Sequence, residues 1–199
     1  MRDRDVRFAV LRWLDAIHAG DENTRVVEEM GIWAGSVRID IAVINGELCG
    51  FELKSAKDTL ERLPKQASLY SEVFDRMTLV VAERHLEKAT EAIPSWWGIS
   101  TVIGNPEIGL RLKKARSPCM NPDIQPLQIA RLLWRTEALA ILEKHGLIRG
   151  FRSKPVDLLA HRLASELTLD RLRLEVRSAL KMRENWLGQL VTDKRDVTI

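Results

Sequence analysis

Three side chains of this 199-residue chain have the types and spacing to act together: Asp40 in "SVRIDIAVI", and Glu52 and Lys54 in "LCGFELK". In an extended chain, side chains two positions apart point to the same face. Glu52 and Lys54 therefore share one side of their strand, and Cys49, Phe51 and Leu53 share the other. Asp40 lies on the polar side of the preceding strand, opposite Val37, Ile39, Ile41 and Val43. Two carboxylates on adjacent antiparallel strands can hold one divalent cation when they face each other with Cβ atoms about 5 Å apart. Mg²⁺ or Mn²⁺ held by Asp40, Glu52 and a phosphate oxygen would acidify a bound water and screen charge growing on phosphorus. Lys54 would orient that water or steady the phosphorane, and without a cation it offsets repulsion between the two acids.

Register decides whether the acids meet. A two-residue hairpin closed by Asn45-Gly46 pairs Ile44 with Glu47 and Asp40 with Phe51, which turns Glu52 to the wrong face. A three-residue connection from Asn45 to Glu47, or a bulge, restores the pairing of Asp40 with Glu52. The sequence therefore predicts an odd-length turn or a bulge between them.

The elements that must hold this triplet follow from apolar spacing. Residues 4–19 carry Val6, Val10, Trp13, Leu14 and Ile17 at helical intervals, and Gly20 ends the run. "RVVEEMGI", "SVRIDIAVI" and "LCGFELK" form a three-stranded meander. "KDTLERLPKQASLYSEVF" predicts a helix with Asp58 as its N-cap and Pro64 splitting or kinking it. "MTLVVAE" predicts a buried strand, residues 85–93 a short helix and "GISTVIG" a further strand. Trp96 and Trp97, after Pro94, are expected to seal a core edge. Residues 105–126, rich in proline, predict a linker, and residues 127–199 a helical region.

In this α-β-β-β-α-β order, Asp40 followed by Glu52-Leu53-Lys54 across a hairpin resembles the PD-(D/E)XK nuclease superfamily. The stretch "RIDIAVINGELCGFELKSAKDTLERLPKQASLY", continued by "PSWWGI", is similar to a bacterial family of small nuclease-like proteins and to MmcB-like DNA repair proteins. The likeness covers roughly residues 5–104 and implies an α/β, restriction-endonuclease-like core with a mixed sheet (residues 1–104) and a C-terminal helical appendage. It also implies a Mg²⁺- or Mn²⁺-dependent phosphodiesterase acting on DNA, with RNA as the alternative substrate. Asp40 and Glu52 would be its metal ligands and Lys54 its catalytic lysine. Glu29 would be an additional acid, with Glu28 as competitor, and Gln66 and Tyr70, one helical turn apart, would touch a DNA backbone or the lysine. Asp40 follows Ile39 where the superfamily's motif has proline. The rival reading is a nuclease-like fold that binds nucleic acid or a protein without cutting.

The remaining sequence sets the setting. Composition, 45% hydrophobic and 30% charged, suits one soluble domain of about 150 residues plus an appendage. Cys49 and Cys119 lie far apart without a CxxC and are expected to be reduced packing residues of a cytoplasmic protein. No leader-like start or apolar run of about 18 residues predicts export or a membrane span. The four histidines have no ligand spacing, and no P-loop, Ser-His-Asp order or dinucleotide fingerprint is present. Net charge is +3, but residues 125–199 carry 14 Lys/Arg against 9 Asp/Glu, an excess a polyanion could use. There, "ALAILEKHGLIRGFRSKPVDLLAHRLA" is similar to a SAP-type DNA-binding helix–loop–helix, although two extra residues separate Gly150 from Lys154. That likeness would turn Arg149, Arg152, Lys154 and Arg162 towards phosphate. The competing reading is a helical pair packed on the first domain, or a homodimer contact.

Overall fold

The computed structural model describes residues 2–33, 35–105, 109–184 and 186. The parts of the linker and helical-region expectations that fall on 106–108, 185 and 187–199 lie outside the described residues. The fold is α/β: a six-stranded mixed sheet with helices on both faces and further helices at the C-terminal end. Helix α1 (Asp3–Ile17) leads into β1 (Arg25–Ile32), β2 (Val37–Ile44) and β3 (Leu48–Lys54), an antiparallel meander. Helix α2 (Leu63–Ser71) and α3 (Leu86–Glu91) are the crossovers that let β4 (Arg76–Ala82) and β5 (Gly98–Asn105) join in parallel. Strand order follows chain order, and β6 (Gly109–Arg116) closes the far edge antiparallel to β5.

That last strand occupies part of the expected linker. Its own Leu110 and Leu112 alternate with Arg111 and Lys113, as suits a charged edge strand. The helix expected to start at Asp58 starts instead at Leu63, with Pro64 in its first turn, where a missing N–H costs nothing. Asp58 accepts a hydrogen bond from the Ser55 amide at 2.6 Å and closes a turn before the helix.

Packing explains why β2 and β3 are apolar on both sides. On one face Val6, Val10 and Leu14 of α1 meet Ile41, Val43, Phe51 and Leu53. On the other, Ala42, Ile44, Leu79 and Val81 meet Ala67 and Tyr70 of α2, with the fully buried Trp97 sealing the edge. The same core takes in the C-terminal helices α4 (Pro126–Ala130), α5 (Arg135–Lys144), α6 (Val156–Glu166) and α7 (Leu169–Met182). Polar ties fix α7 to the sheet. Buried Asp75 accepts from the Leu48 amide at 2.7 Å and pairs with Arg173 at 3.0 Å. Both cysteines are free, Cys49 half-buried and Cys119 exposed. Among the described residues no helix is long and apolar enough to cross a membrane.

Candidate functional site

The turn between β2 and β3 sets the site. Ile44 pairs with Leu48 and Ile41 with Phe51, so the connection is the three residues Asn45–Glu47. The Glu47 amide donates to Asn45 Oδ1 at 3.0 Å, and the Asn45 amide donates to the Glu47 carbonyl. In that register Asp40 stands opposite Glu52, as the odd-length turn requires. Backbone pairing between the two strands ends at Ile41 and Phe51, and beyond it the Leu53 amide donates to Asp40 Oδ2 at 2.8 Å. On the other flank, β1 and β2 keep one register on either side of Glu29 and Asp40, which places these two acids opposite each other. Glu29, rather than Glu28, is thus the third acid in the row Glu29–Asp40–Glu52. Its φ of 50° is a left-handed conformation rare for glutamate, and such strain persists only where surrounding structure enforces it.

Arg7 of α1 holds the Glu29 and Asp40 carboxylates together. Its guanidinium lies 2.7 Å from Glu29 and 2.9 Å from Asp40, and it also donates to the Asp40 carbonyl at 3.0 Å. Burial works against that charge, but the two carboxylates more than offset it and raise the Arg7 pKa. Across the cleft, Glu52 is 1% exposed and Lys54 6% exposed. Lys54 Nζ donates to Glu52 Oε1 at 2.5 Å and to Gln66 Oε1 at 3.1 Å. The Gln66 amide returns a bond to the same Glu52 oxygen at 2.6 Å. The second oxygen, Glu52 Oε2, is buried with no hydrogen-bond partner among the described residues. Burial first, and the charge of Asp40 second, push the Glu52 carboxyl up to about 7 against the pull of Lys54. Burial also pushes Asp40 above the usual carboxylate range, despite Leu53 and Arg7.

Tyr70, expected to touch DNA or the lysine, is fully buried. Its hydroxyl donates to the Arg38 carbonyl at 2.6 Å and accepts weakly from Gln66, so it positions the site from beneath. Gln66 is the residue that reaches Lys54. The acids open into a cleft of about 700 Å³ rimmed by Arg38, Lys57, Arg62 and Lys65, all exposed. None of Arg149, Arg152, Lys154 or Arg162 lines it. Arg149 and Lys154 are exposed elsewhere, while Arg152 pairs with Glu143 and Arg162 with Glu166, the latter guanidinium also lying 5.3 Å from the ring centre of Phe151. Sequence reasoning missed Arg7 and the rim. The rim did leave a signal, since Lys57, Arg62 and Lys65 recur along "KSAKDTLERLPK".

Two hard carboxylates and an unpartnered buried oxygen suit Mg²⁺ or Mn²⁺. Among the described residues no group of three or more His, Cys, Asp or Glu could hold a metal ion, so a cation here would draw further oxygen ligands from water or a bound phosphate.

The fold and cleft define an α/β protein in which a row of strand-borne acids lies beneath a basic rim. A family model described as bacteriophage P4 protein cII matches residues 1–197, and the chain belongs to that family. It is 26% identical over 183 residues to Protein cII of Enterobacteria phage P4, covering 92% of this chain and 68% of that one. Its fold is also similar to the SPO1766 protein of unknown function from Silicibacter pomeroyi. That match has a TM-score of 0.47 and 19% identity, covering 78% of this chain and 98% of the other.

The family match corrects the resemblance drawn from the motif. It spans nearly the whole chain and replaces the PD-(D/E)XK, MmcB-like and SAP-like assignments, and with them the reading as a nuclease or hydrolase. The physical reason the motif misled is plain in the site. An acid and an E-x-K across a hairpin will assemble wherever strand alternation and register allow. Here the row is held together by the chain's own groups, Arg7 and the Leu53 amide each bonding one Asp40 oxygen and Lys54 and Gln66 sharing one Glu52 oxygen, so the acids converge with each Asp40 oxygen keeping an acceptor site to spare.

Proposed function

We propose that the protein binds the sugar–phosphate backbone of DNA in this cleft, with Mg²⁺ or Mn²⁺ at Asp40 and Glu52 joining protein to phosphate. The observation that carries the reading is the placement of charge: exposed Arg38, Lys57, Arg62 and Lys65 ring a cleft whose deepest carboxylate has an oxygen without a partner. Exposed lysines and arginines neutralise phosphates and release their counterions, and this drives sequence-independent binding. The cation, when bound, supplies charge that lets an anionic backbone approach two acids. Lys54 and Gln66 hold one oxygen of Glu52, leaving the other for the cation. Arg7 keeps Glu29 and Asp40 together in the row.

Fluorescence anisotropy with a labelled 20-base-pair duplex, titrated from 50 to 200 mM salt, tests this. The triple variant Lys57→Glu, Arg62→Glu, Lys65→Glu is expected to weaken binding and to lower the logarithmic salt slope by about 3, at about 0.9 per lost phosphate contact. An unchanged slope would refute the cleft as the binding surface. RNA of the same sequence, bound more tightly than DNA, would reassign the partner.

A further inference from the structure

A second cavity, of about 820 Å³, lies between the sheet edge and the C-terminal helices. This is within the roughly 300–1,000 Å³ of small-molecule sites. Gly35 and Arg38 belong to its wall and also to the wall of the acidic cleft, so the two cavities adjoin. Its chemistry differs. Trp33, Trp134 and Trp186 line it, with Arg131 and Arg135 beside them.

Each tryptophan is held in place. Trp33 has a φ of 49°, a strained conformation for a bulky aromatic, and its Nε1 donates to the Gln128 carbonyl at 3.2 Å. Trp134 and Trp186 flank the Arg183 guanidinium at 4.3 and 4.5 Å from their ring centres. Arg183 is in turn fixed by two bonds to Glu137, at 2.6 and 2.8 Å, and one to the Leu132 carbonyl. Trp33 and Trp134 remain half-exposed to the cavity, and the Trp186 indole N–H is buried there without a hydrogen-bond partner among the described residues. Pre-set indole surfaces, a spare donor and nearby guanidiniums suit a planar ring that carries acceptors. An aliphatic side chain would use none of the polar groups.

We propose that this cavity receives an unstacked nucleobase from a strand whose backbone lies in the adjoining cleft. The inference rests on the cleft reading and narrows it: the preferred ligand is single-stranded DNA, because a base paired within a duplex cannot leave its stack without cost. Arg38, common to both walls, stands where the chain passes from phosphate site to base site.

Three measurements on the full chain test it. A labelled 12-nucleotide single strand is expected to bind about tenfold or more tightly than its duplex, in line with stacking of one base on an aromatic side chain. Val156 lines the cavity and is 42% exposed, so Val156→Trp fills the space without opening the core. It is expected to abolish that preference and leave duplex affinity unchanged. Calorimetry with wild-type protein is expected to show deoxyadenosine monophosphate binding about tenfold more tightly than deoxyribose 5-phosphate. Equal binding of the two strands, or a nucleotide no better than the sugar phosphate, would overturn the base site alone. Loss of all DNA binding while the nucleotide still binds would overturn the cleft and keep the cavity.

Discussion

Glu52→Gln removes one titration from beneath the cleft, and the consequence for stability has a definite sign. In the folded protein the Glu52 carboxyl is pushed from 4.5 up to about 7, by burial and then by Asp40. Between those values the native state holds a proton that the unfolded chain has released. Stability therefore falls as pH rises from 4.5 to about 7 and is level above that. At about 1.4 kcal/mol per pH unit, the loss over this window is about 3 kcal/mol. Glu52 is 1% exposed, so solvent screening removes little of it. Urea unfolding followed by tryptophan fluorescence at pH 5, 6, 7 and 8 measures the effect. The difference between wild type and Glu52→Gln reports this carboxyl together with its interaction with Asp40, whose upward displacement acts with the same sign. The variant is expected to gain on the wild type progressively from pH 5 to 7, by about 2–3 kcal/mol in all. A constant difference across the series would refute the reasoning, because it would mean that Glu52 titrates alike in both states.

Three further outcomes follow from the same geometry. At pH 8, Mn²⁺ at a hundred times its Kd is expected to raise wild-type stability by about 2.7 kcal/mol, and a Glu52→Gln variant that responds equally would place the ion elsewhere. Arg7→Met leaves Glu29 and Asp40 facing each other without their shared cation; denaturant unfolding is expected to show a loss of about 3 kcal/mol, at the lower end for a broken buried pair because Glu29 is partly solvated, and a loss under about 0.5 kcal/mol would count against the role of Arg7. At Gly98 an added Cβ would lie 2.8 Å from the Pro118 backbone nitrogen and 2.7 Å from its ring, so Gly98→Ala is expected to cost about 1–3 kcal/mol in thermal or urea unfolding, with an unchanged midpoint as the contrary result.

Much of the fold was legible because it depends on local alternation. The β2–β3 hairpin follows from period-two patterning, and the three-residue turn follows from parity alone once Asp40 and Glu52 must face one another. Other features needed partners distant in sequence. Strand β6 was hidden by the prolines around it, although Leu110 and Leu112 alternate with basic residues. The start of α2 was misplaced because Asp58 has the chemistry of an N-cap, and a turn to Ser55 uses the same chemistry. Arg7 sits 33 residues from Asp40, on a helix whose apolar stripe gave no sign of its charged partner. The triplet Asp40–Glu52–Lys54 was legible as geometry. What it does was not, because residue types and spacing fix where charges lie and leave open what they meet.

Charge placement links the cleft to its proposed cation. The lining residues include five acids, Asp3, Glu29, Asp40, Glu52 and Asp58, and five bases, Arg38, Lys54, Lys57, Arg62 and Lys65. With Arg7 counted beside them the site is close to neutral when all groups are ionised, so net charge alone does not favour a polyanion. Depth does. Lys54 is spent on Glu52 and Arg7 on Glu29 and Asp40, whereas the remaining four cations stand at the rim, where a phosphate chain would first arrive. A divalent ion at the floor would turn a balanced cleft into one with a positive excess and would at the same time draw Glu52 into its ionised form. Cation binding, proton release from Glu52 and affinity for an anionic backbone are then one coupled equilibrium, and each should shift with the other two.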